Sequence, residues 1–420
     1  METTRSILWV SHSGRDDGGA ELSLYSLVET AQELGFRQHV VIPAAGGLEK
    51  KLAKLGVEYT IIPFSWWTIG GPRDWADLKN DALATGRLYA LIRELDPDVV
   101  ITNTMVHPWA ALASAKAKVP HVWMVREFGS IDMGLKFILG QRATYRFIDK
   151  YSSLVVTNSQ AIKTHLLKYI EKPENIIVSY PFVTIPKFSR KSSGQDKSRV
   201  ELVMLGNVRE SKGQLETAKA LCLLPPSMQS NVRLTLVGPY QDAEKQKIEN
   251  YIKNHDQANV LVEFAGPRSD PFKFLLKSDI FIMASKNEAF GRATVEAMAV
   301  GLPVIGTKSG GTPEVVIDGK TGILYEPGDL DALSKAIVQL AGDSQQRTQI
   351  GKNGQQRVRE VFSKDVARES FFSNLTRVNT YRQKIKYRYI YVVIISLLAL
   401  AFLARFPYRF IKSLVKPSRV

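Results

Sequence analysis

The stretch IFIMASKNEAFGRATVEAMAVGLPVIGT, residues 280–307, decides how the chain reads. It opens on an apolar run of strand length, crosses a polar loop, enters a helix of small residues at Gly291 and ends on a second apolar run. That succession builds a parallel unit covered on both faces. Two glutamates mark its turns, Glu288 in the loop and Glu296 inside the helix.

On one straight helix the two would stand about 12 Å apart, too far to grip one small group. A bend at Gly291 lets them flank a longer ligand with a polyol at each end, since carboxylates bind hydroxyls strongly. The free N–H groups and positive dipole end of the helix opened by Gly291 form an anion site between them. A nucleotide sugar fits: one glutamate holds the sugar, the other the ribose, with a diphosphate between. The plainer alternative pairs Glu296 with Arg292 one helical turn away and leaves Glu288 an ordinary loop charge.

The same alternation runs through the rest of the chain. SILWVSH (6–12), HVVIP, EYTIIP, DVVITNT, HVWMVRE and LVVTNS are short apolar runs separated by helix-length segments, the first of which carries Leu24, Leu27, Val28, Ala31 and Leu34 at helical spacing. The polar, turn-forming stretch PKFSRKSSGQDKSR (186–199) reads as a linker, after which ELVMLGN, RLTLVG, VLVEFAG, IFIMAS, PVIGT and GILYEP repeat the pattern. The expected fold is α/β, two Rossmann-like doubly wound domains facing a cleft: an acceptor-side domain over 1–190, a donor domain over 199–365 and a basic tail over 366–420.

Composition narrows the function classes. With 420 residues, 45% apolar and 23% charged, the chain has the ordinary globular mixture. The net charge of +15 is concentrated: ten Lys and Arg and no acid lie from Arg377 onward, leaving +5 for the rest. No zinc spacing, aromatic-basic RNA motif or basic recognition helix is visible, which argues against nucleic acid. A single cysteine, Cys222, allows no intramolecular disulfide and reads as a small core hydrophobe. The N-terminus shows no signal-peptide pattern.

In the tail, YIYVVIISLLALAFLA (389–404) is uncharged and fenced by Arg388 and Arg405. As a helix it would cover about 24 Å, short of the roughly 30 Å hydrocarbon core, with Tyr387, Tyr389 and Phe406 as interface anchors. Its wholly cationic flanks lead us to expect attachment to the cytoplasmic face of a membrane, spanning or lying in the interface; a helix packed on the body is the alternative.

The run EAFGRATVEAMAVGLPVIGTKSGGTPEVV, followed by DGKTGILYEPGDLDALSKAI, resembles the C-terminal signature of the large retaining glycosyltransferase family four, which has the GT-B fold. The shared features are E-x7-E, a G-x-PV turn and strand, and a Gly-Gly loop with a glutamate. GGAE, DPDVVITNT, WMVREFG and VVTNS extend the resemblance more weakly over the first half. It implies that Glu288 contacts the donor hexose and Glu296 the ribose, that Ala289, Phe290 and Gly291 offer backbone groups, and that catalysis needs neither metal nor cofactor. A second donor motif, LGNVRESKGQLETAKA, places Gly206 after a strand and Lys212 before a helix. In the family an arginine usually follows that glycine, and arginine and lysine bind the leaving diphosphate; Lys212 fits, but Asn207 stands where the arginine is expected. Arg209 or Arg292 is then the substitute cation, a surface salt bridge being the alternative for either.

Other residues carry weaker signals. Gly18 and Gly19 lie in the loop after the first strand, where they could admit donor phosphate or acceptor, and Arg126, in VREFG, stands where many family members have a histidine and is, with Glu288 and Lys212, a catalytic candidate in contact with acceptor or donor. His12 and His107 are weak cleft candidates, and Glu314 reads as a helix-start residue. PFSWWTIGGPRDW gathers Trp66, Trp67 and Trp75, while MGLKFILGQRATYRFIDK interleaves Lys136, Arg142, Arg146 and Lys150 with apolar residues; each is read as a surface for a membrane-borne acceptor or as core packing. The expected function is transfer of a sugar from a nucleotide diphosphate to a hydroxyl of a glycan or lipid-linked glycan. The alternatives are a nucleotide-sugar epimerase of the same fold and a catalytically silent binding scaffold. The lack of a G-x-G-x-x-G after the first strand argues against dehydrogenase chemistry.

Overall fold

The computed structural model describes residues 6–69, 75–171, 173–183, 199–256, 258–268 and 270–378. These form two compact units, the first built from residues 6–158, Ile162–Ser179 and 371–378, the second from Ser159–Ala161 and the described part of Tyr180–Ser370. The linker up to residue 198 and the apolar tail segment 389–404 lie outside the described residues, and among these no helix is long and apolar enough to cross a membrane.

The first unit holds β1 (Ser6–Val10), β2 (Arg37–Ile42), β3 (Glu58–Ile61), β4 (Thr68–Ile69), β5 (Val99–Asn103), β6 (His121–Val125), β7 (Lys136–Phe137), β8 (Leu154–Thr157) and β9 (Ile176–Val178). Seven of them make a parallel sheet in the order β3-β2-β1-β5-β6-β8-β9, and β4 pairs antiparallel with β7. Every residue of β1, β5 and β6 is buried, as a strand covered on both faces requires, and this is why those runs are apolar without alternation. From Phe371 the chain closes this core, with Phe371 stacked on Trp9 at 6.2 Å and Phe372 against Phe36 at 5.4 Å.

The second unit holds β10 (Val200–Leu205), β11 (Val232–Val237), β12 (Leu261–Gly266), β13 (Ile280–Met283), β14 (Val304–Thr307) and β15 (Gly322–Tyr325), parallel in the order β12-β11-β10-β13-β14-β15. Side chains of β13 divide by period two: Ile280 and Ile282 join one core cluster, Phe281 and Met283 the other. Cys222 is buried in the first of these, as a core hydrophobe. The helix Leu330–Gly342 starts where Asp329 Oδ1 accepts the Ala332 N–H at 2.8 Å and buries Leu333, Ile337 and Leu340.

Each sheet reverses its strand order once, between β1 and β5 in the first and between β10 and β13 in the second. At such a reversal the loops leaving the two strands diverge and open a crevice at their C-terminal ends.

Candidate functional site

In the second unit, the crevice is walled by the loops after β10 and β13. Leaving β10 the chain passes Gly206, exposed Asn207 and half-buried Arg209, makes a single 3-10 turn over Glu210–Lys212 and enters the helix Gln214–Cys222. Buried Gln214 fixes this loop: its amide donates to the Asn207 carbonyl at 3.1 Å, and its Oε1 accepts the Arg209 N–H at 3.3 Å. Gly213 joins turn and helix at φ +75, where any Cβ would collide with the Ala284 carbonyl of the opposite loop. The Lys286 N–H donates to Ser211 O at 3.1 Å, so the two loops are stitched together.

That packing brings Lys212 and Glu288 together. Lys212 Nζ donates to Glu288 Oε2 at 2.6 Å, with the side chains 26% and 14% exposed. Burial alone would raise the Glu288 carboxyl, but the Lys212 charge and hydrogen bond, with Ser285 and the charge of Arg209, outweigh it and hold the group below its usual range. Glu288 is therefore an ionised carboxylate beside a cation at neutral pH.

The structure separates the two arginines considered as substitute cations. Arg292 is spent: its Nε donates to Glu296 Oε1 at 2.9 Å and its Nη1 to the Phe182 carbonyl at 3.0 Å. This is the plainer pairing weighed from the sequence. Arg209 has its Nε buried with no hydrogen-bond partner, while its charge is felt at Glu288. Glu296 is pushed above the usual carboxylate range by burial, which its bond to Arg292 only partly offsets.

The backbone around Glu288 is held from the next loop. Gly291 is the N-cap of the helix Arg292–Ala299, as its place in the sequence predicts. The Gly311 N–H donates to the Glu288 carbonyl at 2.7 Å, and Gly310, at φ +57, lies so close that a Cβ would strike that same carbonyl. The Gly-Gly loop is thus a backbone brace for residues 288–290, with Ala289 buried and Phe290 stacked on Tyr180 at 5.8 Å. Glu314 departs from the helix-start role read from the sequence. The helix Thr312–Val315 has no side-chain cap; the Glu314 carboxylate instead accepts the N–H groups of Gln160 and Ala161, both at 2.6 Å and in this same unit, and the Tyr180 hydroxyl at 3.0 Å.

In the first unit the corresponding loops are closed on themselves. Gly18 caps the helix Gly19–Glu33, a Cβ on it would meet the Glu21 carboxylate, and Gly19 faces open space. Buried Glu21 accepts Ser13 Oγ at 2.6 Å and lies 3.2 Å from His12 Nε2. Arg126 is buried, its Nε donating to Asn103 Oδ1 at 2.7 Å. Its neighbour Glu127 accepts the Met105 N–H at 2.8 Å and the Arg126 N–H at 3.1 Å, and burial pushes its carboxyl up to about 7. His107 is wholly buried against Phe64 at 4.7 Å, and burial lowers it well below its ordinary value, so it is a neutral core residue. Trp67, read as part of an interaction surface, is 1% exposed and packs on Trp123, Phe137 and Phe147; Trp66 is partly buried, donating to the His12 carbonyl at 3.1 Å.

Sequence reasoning missed Gln214 and the Glu21 cluster. A polar side chain directly after Lys-Gly at a helix start was the available signal for the first, and GGAE itself for the second. Among the described residues no group of three or more His, Cys, Asp or Glu could hold a metal ion.

Two parallel sheets, each with one strand-order reversal, define a two-unit doubly wound α/β class. Two family models match in succession, Glycosyltransferase Family 4 over residues 17–185 and Glycosyl transferases group 1 over residues 186–357. The chain belongs to the family four glycosyltransferases, with the GT-B fold. It is 27% identical over 224 residues to the N-acetyl-alpha-D-glucosaminyl L-malate synthase of Bacillus anthracis, covering 52% of this chain and 58% of that one. With the capsular polysaccharide biosynthesis glycosyltransferase CapM of Staphylococcus aureus it shares 30% over 170 residues, 40% of this chain and 44% of that one. The chain thus spans about half the length of these two relatives. Among solved structures, Anabaena HepE in complex with UDP superposes with a TM-score of 0.72 at 24% identity, over 89% of this chain and 100% of that one, a likeness of fold.

Proposed function

We propose that the chain is a glycosyltransferase that moves a sugar from a nucleotide diphosphate to a hydroxyl of a glycan or lipid-linked glycan with retention of anomeric configuration. One observation carries the reading: at the β10/β13 reversal, Lys212 and the ionised Glu288 meet beside an unspent Arg209 donor and the helix N-terminus at Gly291. Fixed positive charge there stabilises a leaving diphosphate, the largest electrostatic lever such a reaction offers. Lys212 and Arg209 bind the diphosphate, with Arg209 doing the work expected of an arginine at Asn207. Glu288 orients the hexose hydroxyls and Glu296 the ribose. The backbone of Ala289, Phe290 and Gly291 lines the phosphates. The donor phosphate takes the acceptor proton in a front-face displacement, since no protein nucleophile is apparent. The acceptor belongs to the first unit, near Gly18, Gly19 and Arg126. The basic tail, through its apolar segment 389–404, attaches the enzyme to the cytoplasmic face of a membrane. Support comes from the family membership, from CapM as a polysaccharide-assembly relative and from the UDP and UDP-glucose complexes of HepE.

The exposed amide of Asn207 supports a second reading, nucleotide-sugar binding without turnover. Thermal shift with UDP, GDP and ADP, in a chelator, tests the site. A ligand at 100 times its Kd adds about 2.7 kcal/mol. We expect a shift with one nucleotide, weakened in Glu296→Ala, and sugar transfer lost in Glu288→Gln. Transfer unchanged in Glu288→Gln refutes the assignment, and binding without transfer in the wild type establishes the second reading.

A further inference from the structure

Two segments far apart in sequence form one surface of the first unit. The antiparallel pair β4–β7 sets Thr68 opposite Phe137 and Ile69 opposite Lys136. Trp67 anchors the pair: its N–H donates to the Val106 carbonyl at 2.9 Å, its carbonyl accepts the Ile138 N–H at 3.0 Å, and its indole donates to Met105 O at 2.7 Å. With the large aromatics turned inward, the apolar side chains left outward are Ile69 at 46% exposure and, in the turn leading into β7, Ile131 at 46% and Met133 at 43%. That turn is closed by the Met133 and Leu135 N–H groups on the Gly129 carbonyl, and its one acid, Asp132, is bonded to the Phe128 N–H.

Directly after β7 the helix Gln141–Lys150 buries Thr144, Tyr145, Phe147, Ile148 and Asp149. Its exposed positions are Arg142, Ala143, Arg146 and Lys150, so three cations four residues apart share one face and the helix's only acid is on the other. Exposed Lys136 continues the positive charge onto the strand pair. Exposed aliphatic side chains on a turn, followed directly by a helix whose exposed charged residues are all cations, suit a deformable, negatively charged layer: the chains enter the acyl boundary while the cations meet headgroups.

We propose that this surface, Ile69, Ile131 and Met133 with Lys136, Arg142, Arg146 and Lys150, docks the first unit onto an anionic lipid membrane. It is a contact separate from the C-terminal segment and independent of the donor-site reading, because its readout is lipid contact and not sugar transfer. A protein partner with an acidic face is the competing occupant, and the test distinguishes the two.

The experiment uses the full chain with Met133→Cys carrying an environment-sensitive fluorophore, the native Cys222 being buried. Vesicles of phosphatidylglycerol and phosphatidylcholine, or of phosphatidylcholine alone, are added, and co-sedimentation reports total binding by any part of the chain. The expected result is a blue shift with anionic vesicles only. The lipid concentration for half-maximal shift should rise about fivefold for each of Arg142→Glu and Arg146→Glu, at about 1 kcal/mol per basic side chain. Circular dichroism checks that both variants are folded. Protein that sediments with anionic vesicles while the fluorophore stays in water overturns the proposal, as does a shift unchanged in the double variant. A probe silent toward lipid but quenched by an acidic protein overturns it in favour of the competing occupant.

Discussion

The two sheets pose the same geometric opportunity and answer it differently. Each reverses its strand order once, and each sends two loops from strand ends into the crevice so formed. In the first unit the charged groups there are consumed internally: Glu21 by Ser13 and His12, Arg126 by Asn103, Glu127 by two backbone N–H groups. In the second, Lys212 and Glu288 are held together at the surface of the crevice, and Arg209 keeps a donor unspent. Closed networks rigidify, whereas unspent charge waits for a ligand of opposite sign. The topology offers a crevice, and the balance of charge decides whether a polyanion belongs in it.

The hardest way to break that contrast is Lys212→Met. It removes the cation facing the proposed diphosphate and strands Glu288, whose burial would then push its carboxyl up. We expect sugar transfer to fall by about 10³, on the order of 4 kcal/mol of transition-state stabilisation, in initial-rate measurements at saturating donor. A variant that keeps more than a tenth of the wild-type rate means that the pair is a structural bridge only.

The next largest effect concerns the frame. Gly310 has the left-handed φ that side chains resist, and a Cβ on it meets the Glu288 carbonyl. Gly310→Ala should destabilise the fold by about 2–3 kcal/mol, combining backbone strain with displacement of the Glu288 loop. Chemical denaturation measures it. An unchanged midpoint with unchanged donor binding would show that the loop yields freely and that the brace is not needed.

These positions differ in how visible they were in the sequence. Buried parallel strands advertise themselves as unbroken apolar runs, so β1, β5, β6, β10, β13 and β14 were legible, and with them the loops holding Lys212, Glu288 and Gly291. Two-residue strands give no period to detect, which hid the β4–β7 pair and left the inward turn of Trp67 undecided. The choice between Arg209 and Arg292 was illegible for another reason. It turns on whether a helical neighbour consumes the guanidinium, and Glu296 at i+4 does so for Arg292 while nothing comparable reaches Arg209 Nε. Glu314 looked like a local residue because its partners lie more than a hundred positions away, at Gln160, Ala161 and Tyr180.

The closed network of the first unit makes a pH prediction. Burial holds the Glu127 carboxyl at about 7 in the fold, against an ordinary value of 4.5 when unfolded. Between those values the folded state keeps a proton that the unfolded state has lost, so stability from this group is full below pH 4.5 and drains as pH rises through 7. The loss is on the order of 3 kcal/mol. Glu127→Gln cannot titrate, so the difference in unfolding free energy between wild type and variant should change by that amount from pH 4.5 to pH 8, moving in the variant's favour. Parallel stability curves would show that the carboxylate is compensated in place.

The smallest effect sharpens the comparison most, because it sets two arginines of one crevice against each other. Arg209 carries the unspent donor and Arg292 is bonded to Glu296 and Phe182. Arg209→Ala should therefore weaken nucleoside diphosphate binding about tenfold, near 1.4 kcal/mol for loss of one charge-assisted contact, with little change in folding stability. Arg292→Ala should do the reverse. It removes the partner of a buried carboxylate, so the melting temperature should fall, and any loss of affinity should follow from a loosened Glu296 and be seen with nucleosides as well as diphosphates. Calorimetric titration of both variants with a nucleoside and its diphosphate separates the effects. If Arg292→Ala loses affinity for the diphosphate alone while Arg209→Ala binds normally, the pair to Glu296 must open on binding and the substitute cation is Arg292.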